Sequence, residues 1–78
     1  MDANKPPLNA CGPTIRRLRY ERKWSQATLA LKCQLAGWDI SRDIIASMEL
    51  RRRLLTDLDL QRFAKVFRVP VEQLFPRR

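Results

Sequence analysis

Between residues 42 and 48, three polar residues, Arg42, Asp43 and Ser47, are set among apolar ones. At about 100° per residue, a helix here would turn these three side chains away from its apolar arc. That arc consists of Ile44, Ile45 and Met48. An arginine can donate two hydrogen bonds to guanine, an aspartate can accept one from cytosine, and a serine can do either. The pattern therefore predicts a helix face that contacts base edges, and the alternative is an ordinary solvated face.

Groups that suit phosphates lie on both sides of this stretch. Three consecutive arginines follow it, and serines precede two apolar runs, where helix N-termini with free N–H groups attract anions. Six residues are predicted to contact phosphates: Ser25, Gln26, Ser41, Arg51, Arg52 and Arg53. The alternatives are that the arginines form only a solubilising surface and that Gln26 is only a good helix former.

Residue counts exclude most other site chemistries. The sequence has no histidine, which removes the commonest general base and the nucleophilic sites that depend on it. Cys11 and Cys33 are too few for a four-cysteine zinc site, and two glycines are too few for a glycine-rich phosphate loop. We therefore expect no enzymatic activity, no metal site and no cofactor.

Length and charge favour a small binding domain. The chain has 78 residues, enough for one domain, and 45% of them are hydrophobic, enough for a small core. Sixteen Lys and Arg against eight Asp and Glu give a net charge of +8, which favours an anionic partner. No apolar run approaches the roughly 18 residues of a membrane span, and the first ten residues lack a signal-peptide core. We expect a cytoplasmic protein with no membrane partner.

Helix start signals recur from Gly12 onward. Gly12 and Pro13 open the first helix, since proline suits the first helical position. Three hydroxyl residues are predicted N-caps of further helices: Ser25, Ser41 and Thr56. A fifth short helix is predicted over residues 71–75, after the break at Pro70. The expected fold is an all-α bundle of five helices over residues 12–78, preceded by a flexible arm over residues 1–11.

The second and third predicted helices have the spacing of a helix-turn-helix. Ala30 is small enough for a close helix crossing, and Gly37 lets the chain reverse before the cap at Ser41. Residues 12–75 resemble the XRE/Cro-type helix-turn-helix domain of phage repressors and bacterial regulators. The resembling stretches are IRRLRYERKWSQATLA, DISRDIIASME and LQRFAKVFRVPVEQLF.

The resemblance implies a lambda-repressor-like bundle whose third helix, residues 41–50, enters the DNA major groove. It also implies a structural ion pair between Arg19 and Glu49, and it matches Gln26 to a glutamine that contacts phosphate.

Three departures from the family pattern stand out. The second helix and its turn are about five residues longer, through the residues LAGWD. Leu50 and Arg51 replace the glycine that usually follows the third helix, which would allow that helix to continue further. Arg68 stands where a glycine commonly ends the fourth helix.

Several apolar residues are predicted to lie in the core: Trp24, Cys33, Phe63, Phe67, Val69, Leu74 and Phe75. Leu31 and Leu35 project to the far side of the second helix, where either Trp38 folds over them or they form an exposed patch used in association. We expect a weak homodimer, strengthened on DNA. Its candidate surfaces are the region of Val71, Leu74 and Phe75 and the stripe of Leu31 and Leu35 with Trp38.

These patterns predict a sequence-specific binder of double-stranded DNA, a small transcriptional regulator of a bacterial or phage nucleoid. The alternative class is a protein-interaction module, an antitoxin-like subunit whose main partner is a protein. A large patch at Leu31 and Leu35 with dispersed arginines would favour that alternative. Non-specific RNA binding is disfavoured because it needs surface aromatics for stacking, and the aromatics here fall on core stripes.

Overall fold

A computed structural model describes residues 6–76, which form four α-helices and one 3-10 turn. The helices are α1 (Gly12–Glu21), α2 (Gln26–Leu35), α3 (Arg42–Glu49) and α4 (Asp57–Phe67), and the 3-10 turn is Val71–Leu74. No strand occurs among these residues, so the all-α prediction is confirmed. No helix of this part of the chain is long and apolar enough to cross a membrane.

The prediction of five helices is wrong, because residues 71–74 form a 3-10 turn instead of an α-helix. Pro70 holds the chain extended before the turn, at φ −62° and ψ 147°, and Pro76 follows closely. Between these two prolines too few residues remain for successive i→i+4 hydrogen bonds, and a 3-10 turn needs only i→i+3 bonds.

Hydroxyl side chains begin three of the helices, as predicted. Ser25 and Ser41 each accept a hydrogen bond from the main-chain N–H three residues further on. Thr56 does the same with Asp59, whose carboxylate accepts the N–H of Thr56 in return. This reciprocal pair is a capping box, which satisfies two otherwise unpaired donors at the start of α4.

All four helices end with a single residue in the left-handed region. These residues are Lys23 (φ 59°), Gly37 (φ 91°), Arg51 (φ 63°) and Arg68 (φ 59°). After α3, Arg51 N–H donates to the carbonyl of Met48 and Arg52 N–H to that of Ser47, and the other ends repeat this pattern. Such a Schellman motif stops a helix. The expectation that α3 continues past Leu50 is therefore wrong, and α3 covers residues 42–49 of the predicted 41–50.

Three of these left-handed positions are occupied by basic residues, although glycine adopts this conformation without steric cost. We expect Lys23→Gly and Arg68→Gly each to raise the free energy of unfolding by about 0.5–1 kcal/mol, because removing Cβ relieves the strain. Urea unfolding at constant pH measures this change. Gly37→Ala should lower stability by about 1 kcal/mol, although no atom lies within 4 Å of the added Cβ. If Lys23→Gly and Arg68→Gly both lowered the free energy of unfolding, the argument that Cβ causes strain at these positions would be contradicted.

Every α-helix contributes apolar side chains to one core. The largest fully buried side chains are Ile15, Leu29, Cys33, Ile45, Phe63, Phe67 and Leu74. Burial of the thiol raises the pKa of Cys33 to about 11. Leu74 is 0% exposed, so its side chain is part of the monomer core and is unavailable to the predicted dimer surface. Phe75 was also predicted to lie in the core, but it is 48% exposed, because the chain is extended there.

Trp38 does not fold over the apolar stripe of α2. Its ring packs edge-on against Phe63, with the centroids 4.8 Å apart. Leu31 and Leu35 are left 54% and 79% exposed. Of the two alternatives for this stripe, the structure has the exposed patch.

The end of the predicted flexible arm is hydrogen-bonded to the bundle. Residues 1–5 of the arm lie outside the described residues, as do residues 77 and 78. The N–H of Leu8 and the side-chain amide of Asn9 donate to carbonyls at and after the end of α3, those of Met48, Arg51 and Arg53. Cys11 is 3% exposed. We call residues 8–11 the N-terminal strap, because they tie the start of α1 to the end of α3.

Gly12 marks the point where α1 crosses the end of α3. A Cβ there would clash with the main-chain oxygens of Met48 and Glu49. Only glycine permits this approach, which sets the two helices close enough for their charged side chains to meet.

Candidate nucleic-acid interface

A buried ion pair joins α1 to α3. Arg19 donates from Nε to Oε2 of Glu49 at 2.7 Å and from Nη2 to Oε1 at 2.9 Å. The side chains are 6% and 2% exposed. Arg19 also donates from Nη1 to the carbonyl of Trp24 at 2.9 Å. The hydrogen bond to Glu49 raises the pKa of Arg19 above its ordinary value. The structure thus places the two residues of the expected structural pair against one another in bidentate geometry.

Gln26 adds a third donor to the same carboxylate. Its Nε2 lies 3.1 Å from Oε1 of Glu49, which connects the first turn of α2 to α3. The predicted phosphate contact of Gln26 therefore has only one remaining amide hydrogen to use. Nothing in the local sequence indicates this bond, because it joins residues 23 positions apart.

Two of the residues predicted to contact bases are solvent-exposed on the outer face of α3. The side chains of Arg42 and Asp43 are 65% and 89% exposed, and they form a loose ion pair at 3.6 Å. A pair this exposed is worth little, so either side chain is able to turn to another partner. Ser47 is only partly exposed and its hydroxyl donates to the carbonyl of Asp43 at 3.1 Å. Ser47 is therefore suited to accepting a hydrogen bond rather than donating one.

A groove lies between α1, the start of α2 and α3, and we call it the α1–α3 groove. Its polar lining includes Arg16, Tyr20, Ser25, Gln26, Arg42 and Glu49. The hydroxyl of Ser25 is engaged as the cap of α2, so the helix presents its first-turn N–H groups rather than this side chain. Those N–H groups and the guanidinium group of Arg16 together suit a phosphate. Ser41 is likewise engaged, as the cap of α3.

Arg16 was not among the predicted contacts. It precedes Arg19 by three residues, so both lie on one face of α1, and this spacing is the signal that would have indicated it. Arg16 Nη2 donates to Oη of Tyr20 at 3.1 Å and lies over the ring, with Cζ 5.1 Å from the centroid. This hydrogen bond lowers the pKa of Tyr20. The exposed tyrosine thus holds the Arg16 guanidinium at the edge of the groove.

The three consecutive arginines follow the C-terminal end of α3, and all three are exposed. Arg51 Nε donates to the carbonyl of Asn9 at 3.0 Å, so the N-terminal strap fixes this residue. Within residues 6–76, the side chains of Arg52 and Arg53 form no hydrogen bond or ion pair. These two cations are available to an anion outside the protein.

Comparisons of the chain with protein-family models, with curated proteins and with solved structures found no match. The function proposed below is therefore argued from the geometry and charge of this site.

Substitutions in the buried ion pair test whether Arg19 and Glu49 stabilise the fold together. We expect Arg19→Met and Glu49→Leu each to lower the free energy of unfolding by about 3–5 kcal/mol, because each leaves a buried charge without its partner. The double variant should lose much less than the sum of the two, since it leaves no charge uncompensated. Urea unfolding of the three variants measures the coupling.

Arg17→Met is the matched control on the same helix. Arg17 pairs with Glu21 at 2.9 Å, but both side chains are 53% exposed. Its loss should cost less than about 1 kcal/mol. Additive effects of the two buried substitutions would contradict the coupling.

Proposed function

We propose that the chain is a sequence-specific DNA-binding protein, a transcriptional regulator that places α3 in the major groove. The observation that carries this proposal is the arrangement of charge around α3. Its outer face presents Arg42 and Asp43, the α1–α3 groove adjoins it, and the exposed arginines 51–53 follow its C-terminal end. A major groove about 12 Å wide has base edges at its floor and phosphate backbones beside it, so a helix that enters it needs polar side chains on its face and cations close by.

The length of α3 supports a site built from two copies. A helix of eight residues is about 12 Å long. It reads only a few base pairs, and such proteins gain specificity from two half-sites about 34 Å apart. A weak homodimer on DNA is part of the proposal. Partly buried Val71 and exposed Phe75 are the remaining candidates at the C-terminal end.

An antitoxin-like protein-interaction module is the second candidate, and the exposure of Leu31 and Leu35 favours it. Against it, the polar face of α3 adjoins a groove lined by Arg16 and Arg42, and three consecutive arginines follow the helix. This arrangement next to α3 ranks DNA binding first.

The phosphate contacts are tested by Arg52→Ala with Arg53→Ala. We expect the double variant to bind all duplexes more weakly, and the slope of log affinity against log salt to fall by about 2. The reason is that binding releases about one counterion fewer from the DNA for each phosphate contact that is lost. Fluorescence anisotropy over a salt series measures both quantities.

Lys32→Ala with Lys65→Ala removes the same net charge from residues that neither line the α1–α3 groove nor follow α3. It should change the salt slope much less. Equal effects of the two double variants would show that only net charge matters, which contradicts the proposed contacts.

Base readout is tested in two steps. Selection of bound sites from random duplexes should enrich one palindrome that binds two chains. On that site we expect Arg42→Ala to cost about 1–3 kcal/mol of binding free energy and to relax selectivity at one base pair. Non-specific binding and the melting temperature should stay nearly constant, because the Arg42 side chain is 65% exposed. Enrichment of no sequence would contradict sequence-specific binding.

A further inference from the structure

A second groove lies at the ends of three helices, and we call it the C-terminal groove. Its lining includes Arg22, Trp24, Lys32, Leu35, Lys65 and Arg68. Arg22 follows α1, Leu35 is the last residue of α2, and Arg68 follows α4. No residue of α3 lines it, and it shares no lining residue with the α1–α3 groove.

The C-terminal groove has more positive charge than is needed to balance the negative dipole ends of the three helices that end there. Its lining holds four cationic side chains and no acidic one. Each helix C-terminus carries about half a negative charge, so three ends together offset only about 1.5 of the four positive charges. The excess is available to an anionic partner.

Two of these cations are held in place against aromatic rings. The Lys32 Nζ lies 4.6 Å from the ring centroid of Trp24, and the Arg22 guanidinium lies 5.1 Å from that of Phe67. Arg22 also donates from Nη2 to the carbonyl of Phe67 at 2.6 Å. These charges therefore lose little conformational freedom when a partner binds.

An apolar edge adjoins the cations. Leu35 is 79% exposed, the largest value among the large hydrophobic residues of the described chain, and Leu31 lies one turn earlier at 54%. A phosphate backbone gains nothing from exposed leucines. A segment with both carboxylates and apolar side chains would cover the leucines and meet the cations at once.

We propose that the C-terminal groove binds an acidic amphipathic peptide segment of a partner protein. Its apolar side chains pack against Leu35, Leu31 and Trp24, and its carboxylates meet Lys32, Lys65 and Arg68. This proposal does not depend on DNA binding, because α3 takes no part in it.

The probe is a designed helical peptide of about 16 residues, long enough to form a helix, with glutamates on one face and leucines on the other. We expect its addition to ¹⁵N-labelled protein to shift the indole N–H of Trp24 and the amides near Leu35 and Arg68. Amides of α3 should stay unshifted. A peptide with serine in place of each leucine should bind at least tenfold more weakly, the equivalent of about 1.4 kcal/mol.

Two variants with matched controls test the lining. Leu35→Ser should weaken peptide binding at least about tenfold, as expected for the loss of a central apolar contact, with duplex binding unchanged. Leu58→Ser is its control, since Leu58 is 52% exposed and lies outside the groove. Arg68→Gly should also weaken peptide binding. Lys23→Gly is its control and should not, since it likewise replaces a basic residue by glycine at a left-handed position, but outside the lining.

Four outcomes would overturn this proposal. Equal binding of the serine peptide would indicate charge attraction alone, and shifts centred on Arg42 would indicate that the peptide occupies the α1–α3 groove. Shifts centred on Leu35 when duplex DNA is added would make this groove a DNA surface. Self-association of the chain that Leu35→Ser abolishes would identify a second copy as the occupant.

Discussion

The position of α3 depends on the carboxylate of Glu49. It accepts two hydrogen bonds from Arg19 and one from Gln26, and Arg19 in turn donates to the carbonyl of Trp24. Burying two charges is costly, and only this full set of hydrogen bonds offsets the cost. Apolar side chains would fill the same space without fixing a direction. A bidentate pair fixes the angle between α1 and α3, and the proposed contact of α3 with base edges requires a fixed angle.

The close approach that makes the pair possible has its own requirements. Gly12 lets α1 reach the end of α3, and Asn9 holds the chain there through donors to the carbonyls of Met48 and Arg53. The same strap bonds the side chain of Arg51. One small region therefore sets the helix crossing, stops α3 and orients the first arginine after it. A substitution in the strap should therefore alter the position of α3 at the proposed interface without replacing any residue on the surface of that interface.

Local patterns predicted what local interactions determine. The caps at Ser25, Ser41 and Thr56 and the apolar spacing between them give α2, α3 and α4 nearly as they are, because a helix start needs only neighbouring residues. The helix ends were harder to predict. The rule for a stop expects glycine, and basic residues take the left-handed position after α1, α3 and α4. Contacts distant in sequence, such as those of Gln26 and Trp38, left no local signal. The partners of Ser47 and Arg16, by contrast, lie four residues away, so local spacing could have indicated them.

The two grooves lie at opposite ends of α2, and its dipole explains their different composition. The first turn of α2 favours an anion through its own N–H groups, so the α1–α3 groove needs few cations to attract phosphate. The last turn, at Lys32 and Leu35, repels an anion, and added side-chain charge must first reverse that field. Four cations at this end do so, which a merely solubilising surface would not require. Because the grooves share no residue and α2 separates them, the two proposed partners, a phosphate backbone and an acidic peptide, do not compete for the same side chains.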